Sequence, residues 1–214
     1  MKRVVIIGAG GHARDTAWHA REVNAQTPSF DVLGFVVSDL ARLGPHDSPV
    51  LGDESWIARH RQQIDGLILG IGNPRVRAQV AARLQDRFPE LDWPTIVHPS
   101  ALLDWDTAEI GRGVLLGAGV IGTVNVRIED FAVLNPSVTL GHEAVVGACS
   151  VMNHASGLSG GTTIEREVLV GTGARVLQYR RVGARARIGA GAVVTKDVPA
   201  GETWVGVPAH RLER

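Results

Sequence analysis

Residues 110–146 read IGRGVLLGAGVIGTVNVRIEDFAVLNPSVTLGHEAVV, and in this stretch an apolar side chain returns at almost every sixth position. The period continues to Val194 through fifteen positions, of which fourteen are aliphatic or Met and one is Gly122. The residues two positions before them are small or β-branched, with Arg180 as the exception. A fixed period of six with two inward positions is typical of hexapeptide repeats, in which three short strands make one coil. We therefore predict a left-handed parallel β-helix.

The corners of this β-helix are predicted from the residue that follows each apolar position. That residue is often a turn former, as at Gly111, Gly117, Asn135, Gly141, Gly147, Gly171, Gly183 and Gly189. A β-sandwich is the alternative, but its loops would break the register within a few strands, whereas here the register persists without an insertion. Arg180 at an inward position predicts a local bulge.

The N-terminal part alternates between strand-like and helix-like segments. In order, they are predicted at 4–7, from about 12 onward, 32–37, 66–71 and about 75–83. Asn73 suits the N-cap of the last helix and Pro74 suits its first turn. Such alternation predicts a small Rossmann-like βαβ domain. We place this domain at residues 1–95 and the β-helix with a C-terminal tail at residues 96–214.

Charge and composition restrict the classes of function. The chain has 22 basic and 22 acidic residues, so no net positive charge favours nucleic acid or an anionic membrane. Cys149 is the single cysteine and cannot form an intrachain disulfide. No apolar run reaches the roughly 18 residues of a membrane span. We expect a cytoplasmic protein without membrane insertion and without a nucleic-acid partner.

Five motifs lie in the same order as in one known family. They are the segments 8–12 (GAGGH), 69–73 (LGIGN), 97–101 (VHPSA), 141–143 (GHE) and 206–209 (GVPA). Together they resemble the bacterial sugar O- and N-acyltransferases with hexapeptide repeats. This family includes nucleotide-linked amino-sugar N-acetyltransferases of the bacillosamine and perosamine pathways and the sialic acid O-acetyltransferases. The resemblance covers nearly the whole chain.

The resemblance implies a homotrimer, with an acyl-CoA lying along the β-helix between neighbouring subunits. It implies that the N-terminal domain holds a sugar nucleotide, through Gly10, Gly11, His12, Ser38, Asp39, Gly72 and Asn73.

Glycines between the first strand and the first helix fit a diphosphate. Backbone amides at Gly8, Gly10 and Gly11 can approach an anion, and the helix N-terminus adds partial positive charge. The same spacing formally satisfies the dinucleotide fingerprint, with Asp39 as the ribose-binding acid, so a nicotinamide-binding oxidoreductase is an alternative. Against that alternative, only three to four strands are predicted before the β-helix. Arg77, one turn past Asn73, is expected on a solvated helix face, with a phosphate contact as the alternative.

His142 is the candidate general base. Transfer of an acyl group from a thioester requires removal of a proton from the nucleophile, and imidazole suits that task at neutral pH. Glu143 is placed to orient the ring if the corner bends the chain. Since a coil has eighteen residues, Gly160 is expected directly above His142, where it would leave room for an acyl group and offer an oxyanion donor. Gly161 would widen this slot. The resemblance assigns the same catalytic roles to these positions.

His154 occupies the same repeat position as His142, twelve residues later. This spacing places it two sides away, so the two histidines meet only across a trimer interface. A zinc carbonic anhydrase of similar fold is another interpretation, but it needs two histidines a few residues apart, and the spacing of twelve is wrong. We expect no metal.

Small residues past the active-site coil predict a shallow groove for the pantetheine arm of acetyl-CoA. Lys196 is a candidate for its phosphates, and the segment 206–209 resembles the one that closes the family's helix near the adenine. The predicted CoA contacts are Gly160, Gly161, Gly173, Ala174, Gly191, Lys196 and Pro208. The segment 176–181 departs from relatives, which usually show a Pro-Gly corner, so the acyl length stays open.

The leading hypothesis is N-acetylation of a nucleotide-linked amino sugar by direct transfer from acetyl-CoA, in glycan biosynthesis. O-acetylation of a sialic acid or related sugar is the alternative within the class. A catalytically silent interaction protein is the alternative outside it. The sugar, the nucleotide and the acyl chain depend on pocket walls in loops such as 38–48.

Overall fold

The N-terminal part is a parallel sheet flanked by helices. The computed structural model describes residues 1–42, 44, 46 and 49–213. The strands lie in the order β3-β2-β1-β4, all parallel. In chain order the elements are β1 (Lys2–Ile7), α1 (Gly11–Gln26), β2 (Phe30–Val36), β3 (Val50–Gly52), α2 (Glu54–His60), β4 (Gly66–Leu69) and α3 (Pro74–Arg87). Two 3-10 turns lie at Leu40–Arg42 and Arg61–Gln63.

These elements confirm the predicted βαβ organisation. Asn73 caps α3, because its side chain accepts from the N–H groups of Arg75 (3.1 Å) and Val76 (3.2 Å). The short β3 and α2 were not predicted from the sequence. Part of the loop 38–48 lies outside the described residues. Within the described part of the chain, no helix has the length and apolar character needed to cross a bilayer.

The C-terminal part is a parallel β-helix with three faces, as predicted. Face A contains β5 (Ile96–Val97), β8 (Leu115–Leu116), β11 (Val133–Leu134), β14 (Val151–Met152), β17 (Leu169–Val170), β20 (Arg187–Ile188) and β22 (Thr203–Val205). Face B contains β6 (Leu102–Leu103), β9 (Ile121–Gly122), β12 (Thr139–Leu140), β15 (Gly157–Leu158), β18 (Arg175–Val176) and β21 (Val193–Val194). Face C contains β7 (Glu109–Ile110), β10 (Arg127–Ile128), β13 (Val145–Val146), β16 (Thr163–Ile164) and β19 (Arg181–Val182). β23 (His210–Arg211) pairs antiparallel with β22 and closes the end.

The predicted inward positions form the core of the β-helix. The side chains from Leu116 to Val194 at this period are buried, and Gly122 is covered by Leu103, whose Cγ would lie 3.1 Å from an added Cβ. The bulge predicted at Arg180 is wrong, because Thr163 pairs with Arg181 without a shift in register. The guanidinium of Arg180 instead turns outward, 38% exposed, and lies 3.8 Å from the Asp197 carboxylate.

The corner glycines are explained by the close approach of neighbouring coils. A Cβ on Gly141 would lie 2.6 Å from the N atom of Gly160, and one on Gly171 would lie 2.5 Å from the N atom of Ala190. The left-handed backbone lies two residues later, and mostly at residues other than glycine, such as Glu143 (φ 60°). The predicted turn residues are therefore correctly placed at corners, but crowding requires glycine there and a positive φ does not.

The N-terminal βαβ domain packs on face A of the β-helix. Outward side chains of four face A strands join one apolar cluster with residues of β1 and α1. Those four are Ile96, Leu115, Val133 and Val151. Burying this apolar surface from both sides joins the two parts of the chain.

Arg77 connects the two domains from within. Its side chain is 1% exposed, and its guanidinium donates to the carbonyl oxygens of Leu69 (2.9 Å) and Ile71 (3.1 Å). It also donates to Phe131 (2.6 Å) and Gly113 (3.3 Å) of the β-helix. Burial lowers the pKa of Arg77 to about 10. Both predicted roles for Arg77, a solvated side chain and a phosphate contact, are wrong.

A histidine cluster lies where α1 meets the β-helix. The rings of His19 and His98 are 5.5 Å apart, and Trp18 lies 4.4 Å from His19 and 5.6 Å from His98. The ring nitrogens His12 Nε2, His19 Nδ1 and His98 Nε2 are buried without a hydrogen-bond partner among the described residues. Burial lowers the pKa of both His12 and His19 to about 4, helped by the charges of Arg77, His98 and His154.

We predict that Arg77→Met lowers the free energy of unfolding by about 2–4 kcal/mol, because four carbonyl oxygens, two buried and two partly buried, lose a charged donor. Urea denaturation measures this. Arg75→Met, on the same helix but exposed, is the matched control and should change stability by less than about 0.5 kcal/mol. Equal effects of the two variants would contradict a tethering role for Arg77.

We predict that the stability falls as the pH is lowered from 6.5, the ordinary pKa of histidine, towards about 4. In this range the unfolded chain binds protons that the folded chain excludes at His12 and His19, so each costs about 1.4 kcal/mol per pH unit. His19→Gln should remove one such contribution. Urea denaturation from about pH 7 to about pH 5 tests this, and an unchanged slope in His19→Gln would argue against it.

Candidate active site

His142 and Glu143 lie together on the corner between faces B and C, called the BC corner below. The Nδ1 atom of His142 is 3.7 Å from Oε2 of Glu143, and their side chains are 52% and 61% exposed. Adjacent residues of a straight strand would point to opposite sides. The left-handed conformation of Glu143 bends the chain and brings the two side chains to the same side. The bend at this corner therefore places the Glu143 carboxylate beside the imidazole of His142, as the predicted pair requires.

Gly160 lies directly above His142, as the eighteen-residue coil predicts. A Cβ on Gly160 would collide with Nε2 of the imidazole, so the Nε2 edge of the ring lies against this glycine. The expected reason for the glycine is wrong, because the space is filled by the imidazole of the same chain and is not an empty acyl slot. The N–H of Gly160 has no hydrogen-bond acceptor among the described residues.

The repeat itself does not require glycine at position 160. Other corners carry alanine at the equivalent position, namely at Ala118, Ala148, Ala184 and Ala190. Gly160 is therefore explained by the imidazole of His142 that lies on it.

Gly161 is covered as well. A Cβ on Gly161 would collide with the ring of Tyr179, one coil further along. The predicted widening of the slot by Gly161 is thus wrong in this chain, because the phenol ring occupies the space.

A cleft of about 300 Å³ opens at the carboxyl ends of β1 and β2, where parallel sheets bind ligands. Gly8, Gly10, Ser38 and Asp39 line it, together with Glu54 and Arg83 from outside the predicted set. A Cβ on Gly10 would meet nothing within 4 Å, so local packing does not require this glycine. Gly11 begins α1 beside it. The Gly8 amide, predicted to contact the anion, instead donates to the Val36 carbonyl at 2.7 Å. The space beside Gly10 and the N-terminus of α1 suit a diphosphate.

The remaining predicted substrate residues lie on the side of this edge that faces the β-helix. His12 packs against Gly72, with its Cγ 3.5 Å from the position of an added Cβ. Gly72 and Asn73 line a second cleft of about 580 Å³, whose other walls include Arg75, Asn153, Arg185 and Arg187. Of the predicted nucleotide-sugar residues, Gly10, Ser38 and Asp39 therefore line the first cleft and Gly72 and Asn73 the second, whereas Gly11 and His12 line neither.

His154 lies on the corner between faces A and B, close enough to α1 to affect His12 and His19. His142 is on a different corner, so one chain keeps them apart, as predicted. Among the residues that the structure describes, no group of three or more His, Cys, Asp or Glu side chains is arranged to hold a metal ion.

The predicted CoA residues fall on two corners that border face B. Gly160, Gly161 and Lys196 follow His142 along the BC corner, whereas Gly173 and Gly191 lie on the other corner, where added Cβ atoms would meet nothing within 4 Å. Ala174 is a correction, because its side chain is fully buried in the core of the β-helix and cannot line a groove. Pro208 is exposed near the closing hairpin.

Comparison with known proteins places this arrangement in a family. Residues 3–84 match the family described as PglD N-terminal domain. PerB from Caulobacter crescentus, whose structure was solved with CoA and GDP-perosamine, is 31% identical, with a TM-score of 0.89 over 100% of this chain and 98% of that one. The acetyltransferase domain of PglB from Neisseria gonorrhoeae is 26% identical, with a TM-score of 0.68 over 99% of this chain and 100% of that one.

Matches to curated sequences are more partial. A serine acetyltransferase from Buchnera aphidicola is 30% identical over 187 residues, which cover 83% of this chain and 61% of that enzyme. The chain spans less than two thirds of the length of the curated relatives that it matches. The full-length agreement with PerB, in both sequence and fold, decides the assignment. The chain belongs to the bacterial sugar N-acetyltransferases with hexapeptide repeats.

Proposed function

We propose that this chain transfers an acetyl group from acetyl-CoA to the amino group of a nucleotide-linked amino sugar. The main support is the exposed imidazole of His142. It lies against Gly160, and the Glu143 carboxylate is 3.7 Å from its Nδ1 atom. Because the carboxylate faces Nδ1, the Nε2 atom, which lies against Gly160, is the nitrogen left to accept a proton from a nucleophile. The structures of PerB with CoA and GDP-perosamine and of the PglB acetyltransferase domain with acetyl-CoA support the two substrates.

The proposed step is direct transfer. The sugar amine forms a bond to the thioester carbonyl carbon while His142 takes a proton from that nitrogen. The carbon–sulfur bond then breaks, and the CoA sulfur leaves with a proton returned by the imidazolium. Glu143 stabilises the charged imidazole in between. The N–H of Gly160, which has no acceptor among the described residues, stabilises negative charge on the carbonyl oxygen.

Residues 1–95 are proposed to hold the nucleotide. The cleft at Gly8 and Gly10 adjoins the N-terminus of α1, a sixteen-residue helix whose partial positive charge favours a diphosphate. Its volume of about 300 Å³ is at the small end for a ligand pocket, which favours one nucleotide over a dinucleotide.

A partner subunit is needed to complete this site. The N-terminal βαβ domain covers face A, whereas His142 lies on the BC corner, the corner opposite that face. A sugar held in one subunit therefore meets the His142 of another. Exposed apolar side chains on face B and the BC corner suit such a contact, at Leu102, Trp105, Ile121 and Val124. We propose that the assembly is the homotrimer that the family resemblance implies.

The first experiment measures thiol release from acetyl-CoA with a panel of nucleotide-linked amino sugars, GDP-perosamine among them, and with sialic acid. We expect release with an amino sugar and its loss by a factor of about 100 or more in His142→Ala. Thiol release with sialic acid alone would support O-acetylation and would contradict N-acetylation of an amino sugar. Equal release by wild type and His142→Ala would contradict the role of His142.

We predict that Gly160→Ala folds but lowers kcat/KM about 100-fold, because the new methyl group displaces the imidazole by about 1 Å or more. Alanine at the equivalent position of other corners supports normal folding. Ala118→Gly is the matched control at such a corner and should leave both the melting temperature and kcat/KM close to wild type. A fully active Gly160→Ala would contradict the inference that catalysis requires the imidazole of His142 to lie against Gly160.

A further inference from the structure

The β-helix continues beyond the N-terminal βαβ domain, and its outward side chains change in chemistry at that boundary. On face A the outward residues pair from strand to strand in one register, from Ile96 to Thr203. The first four are buried against the domain, and Leu169 packs at the edge of the same apolar cluster. The next outward residue is Arg187, which is exposed. The domain therefore leaves Arg187 uncovered.

The corner between faces C and A changes in the same way. Phe131 and Cys149, at its left-handed positions, are buried in the apolar cluster that includes β1 and α3. The same position in the next two coils carries Glu167 and Arg185. Oε2 of Glu167 accepts from Nε of Arg185 at 3.2 Å, and the Glu167 side chain is only 11% exposed. This carboxylate is therefore already held by one arginine.

The cleft of about 580 Å³ that Gly72 and Asn73 line lies at this boundary. Arg75 reaches it from the first turn of α3, and Arg185 and Arg187 reach it from the β-helix. With the carboxylate of Glu167, the charged residues of the lining carry a net charge of +2. The chain as a whole has a net charge of zero. The junction of the two domains is thus a local positive site.

Arg75 and Arg187 have no carboxylate partner among the described residues. Like charges that line one cleft repel each other, and walls of one sign concentrate ions of the other sign. A neutral donor lies beside them, because the amide oxygen of Asn153 accepts from Asn135 at 3.2 Å and leaves the N–H groups of Asn153 available. An anion in the cleft would relieve the repulsion and receive hydrogen bonds from both domains.

We propose that this cleft binds a phosphate group of one of the two substrates through Arg75 and Arg187. The identity of the ligand rests on the proposed function, in which acetyl-CoA and a nucleotide-linked sugar both carry phosphates. A guanidinium presents a planar fork of donors that matches phosphate oxygens and binds them in pairs. Two such forks from different domains suit a diphosphate or a nucleotide phosphate.

Both substrates can supply this phosphate. Asn73, predicted to contact the sugar nucleotide, lies in the same cleft. Gly173 and Gly191, predicted to contact CoA, follow the strands of Leu169 and Arg187 on the corner between faces A and B. The test therefore includes one nucleotide from each source.

Single charge changes test the cleft. Arg187→Gln removes the charge on the β-helix side, and Arg75→Gln removes the one on the domain side. Arg127→Gln is the matched control, because Arg127 is exposed at the same outward strand position on face C. Glu167→Gln has the opposite sign, since it removes the one carboxylate of the lining.

Calorimetric titration of the full chain with pyrophosphate at low ionic strength measures the binding, alongside the melting temperature of each variant. We expect Arg187→Gln and Arg75→Gln each to raise the Kd at least about tenfold. Glu167→Gln should lower the Kd about threefold, and Arg127→Gln should leave it unchanged. No pyrophosphate binding by wild type, or an unchanged Kd in the folded double variant of Arg75 and Arg187, would overturn the proposal.

Titrations with GDP and with adenosine 3′,5′-bisphosphate separate the two sources. A loss of GDP affinity in Arg187→Gln would assign the cleft to the sugar nucleotide, and a loss of adenosine 3′,5′-bisphosphate affinity would assign it to CoA. Unchanged affinity for both nucleotides would contradict a substrate site. None of these titrations requires acetyl transfer, so binding that depends on Arg187 in a chain that releases no thiol would contradict the proposed function and not the cleft.

Discussion

The close spacing of successive coils at the corners determines the register of the β-helix and the positions of the side chains in the candidate active site. Gly141 approaches the next coil so closely that a Cβ would lie 2.6 Å from the N atom of Gly160. Such contact is possible only where the chain returns after eighteen residues without an insertion, because one extra residue would turn every inward side chain outward. The same spacing places the imidazole of His142 on Gly160. The precision of the site is therefore a property of the coil, and it does not depend on a mobile loop.

The fold separates the proposed nucleotide cleft from the proposed general base within one chain. The cleft at Gly8 and Gly10 belongs to the domain on face A, and His142 belongs to the corner opposite that face. The β-helix lies between them, and the buried Arg77 of α3 holds it to the N-terminal domain, which opposes a hinge motion that would bring them together. In the proposed homotrimer a second subunit would complete the active site, and this would explain why apolar residues of face B, such as Leu102 and Ile121, are exposed on a single subunit.

Periodicity was sufficient to predict the β-helix, because a repeat of six is a property of the chain itself. It also predicted that Gly160 lies on His142, since vertical neighbours follow from counting eighteen residues. The content of the space between them was not predictable, because it depends on side-chain conformation: the imidazole fills the supposed acyl slot, and Tyr179 covers Gly161.

Arg77 shows a second limit of sequence reasoning. Its place one turn after Asn73 suggested solvent, but the partners of a buried side chain come from distant segments, here Phe131 and Gly113. The histidine cluster has the same origin, because α1 meets His98 only through tertiary packing. A short strand such as β3, with three residues, gives too few positions for a period to be recognised.

The guanidinium of Arg77 also restricts how the N-terminal domain of such enzymes can be exchanged between genes during evolution. Recombination that joins a nucleotide-binding module from one gene to a β-helix from another must preserve this donor or remove the need for it. A grafted module without the arginine would leave the carbonyl oxygens of Phe131 and Gly113 facing an apolar junction. Exchange of the whole N-terminal module is therefore restricted to modules that carry an arginine equivalent to Arg77. Point substitutions at the cleft do not have this restriction.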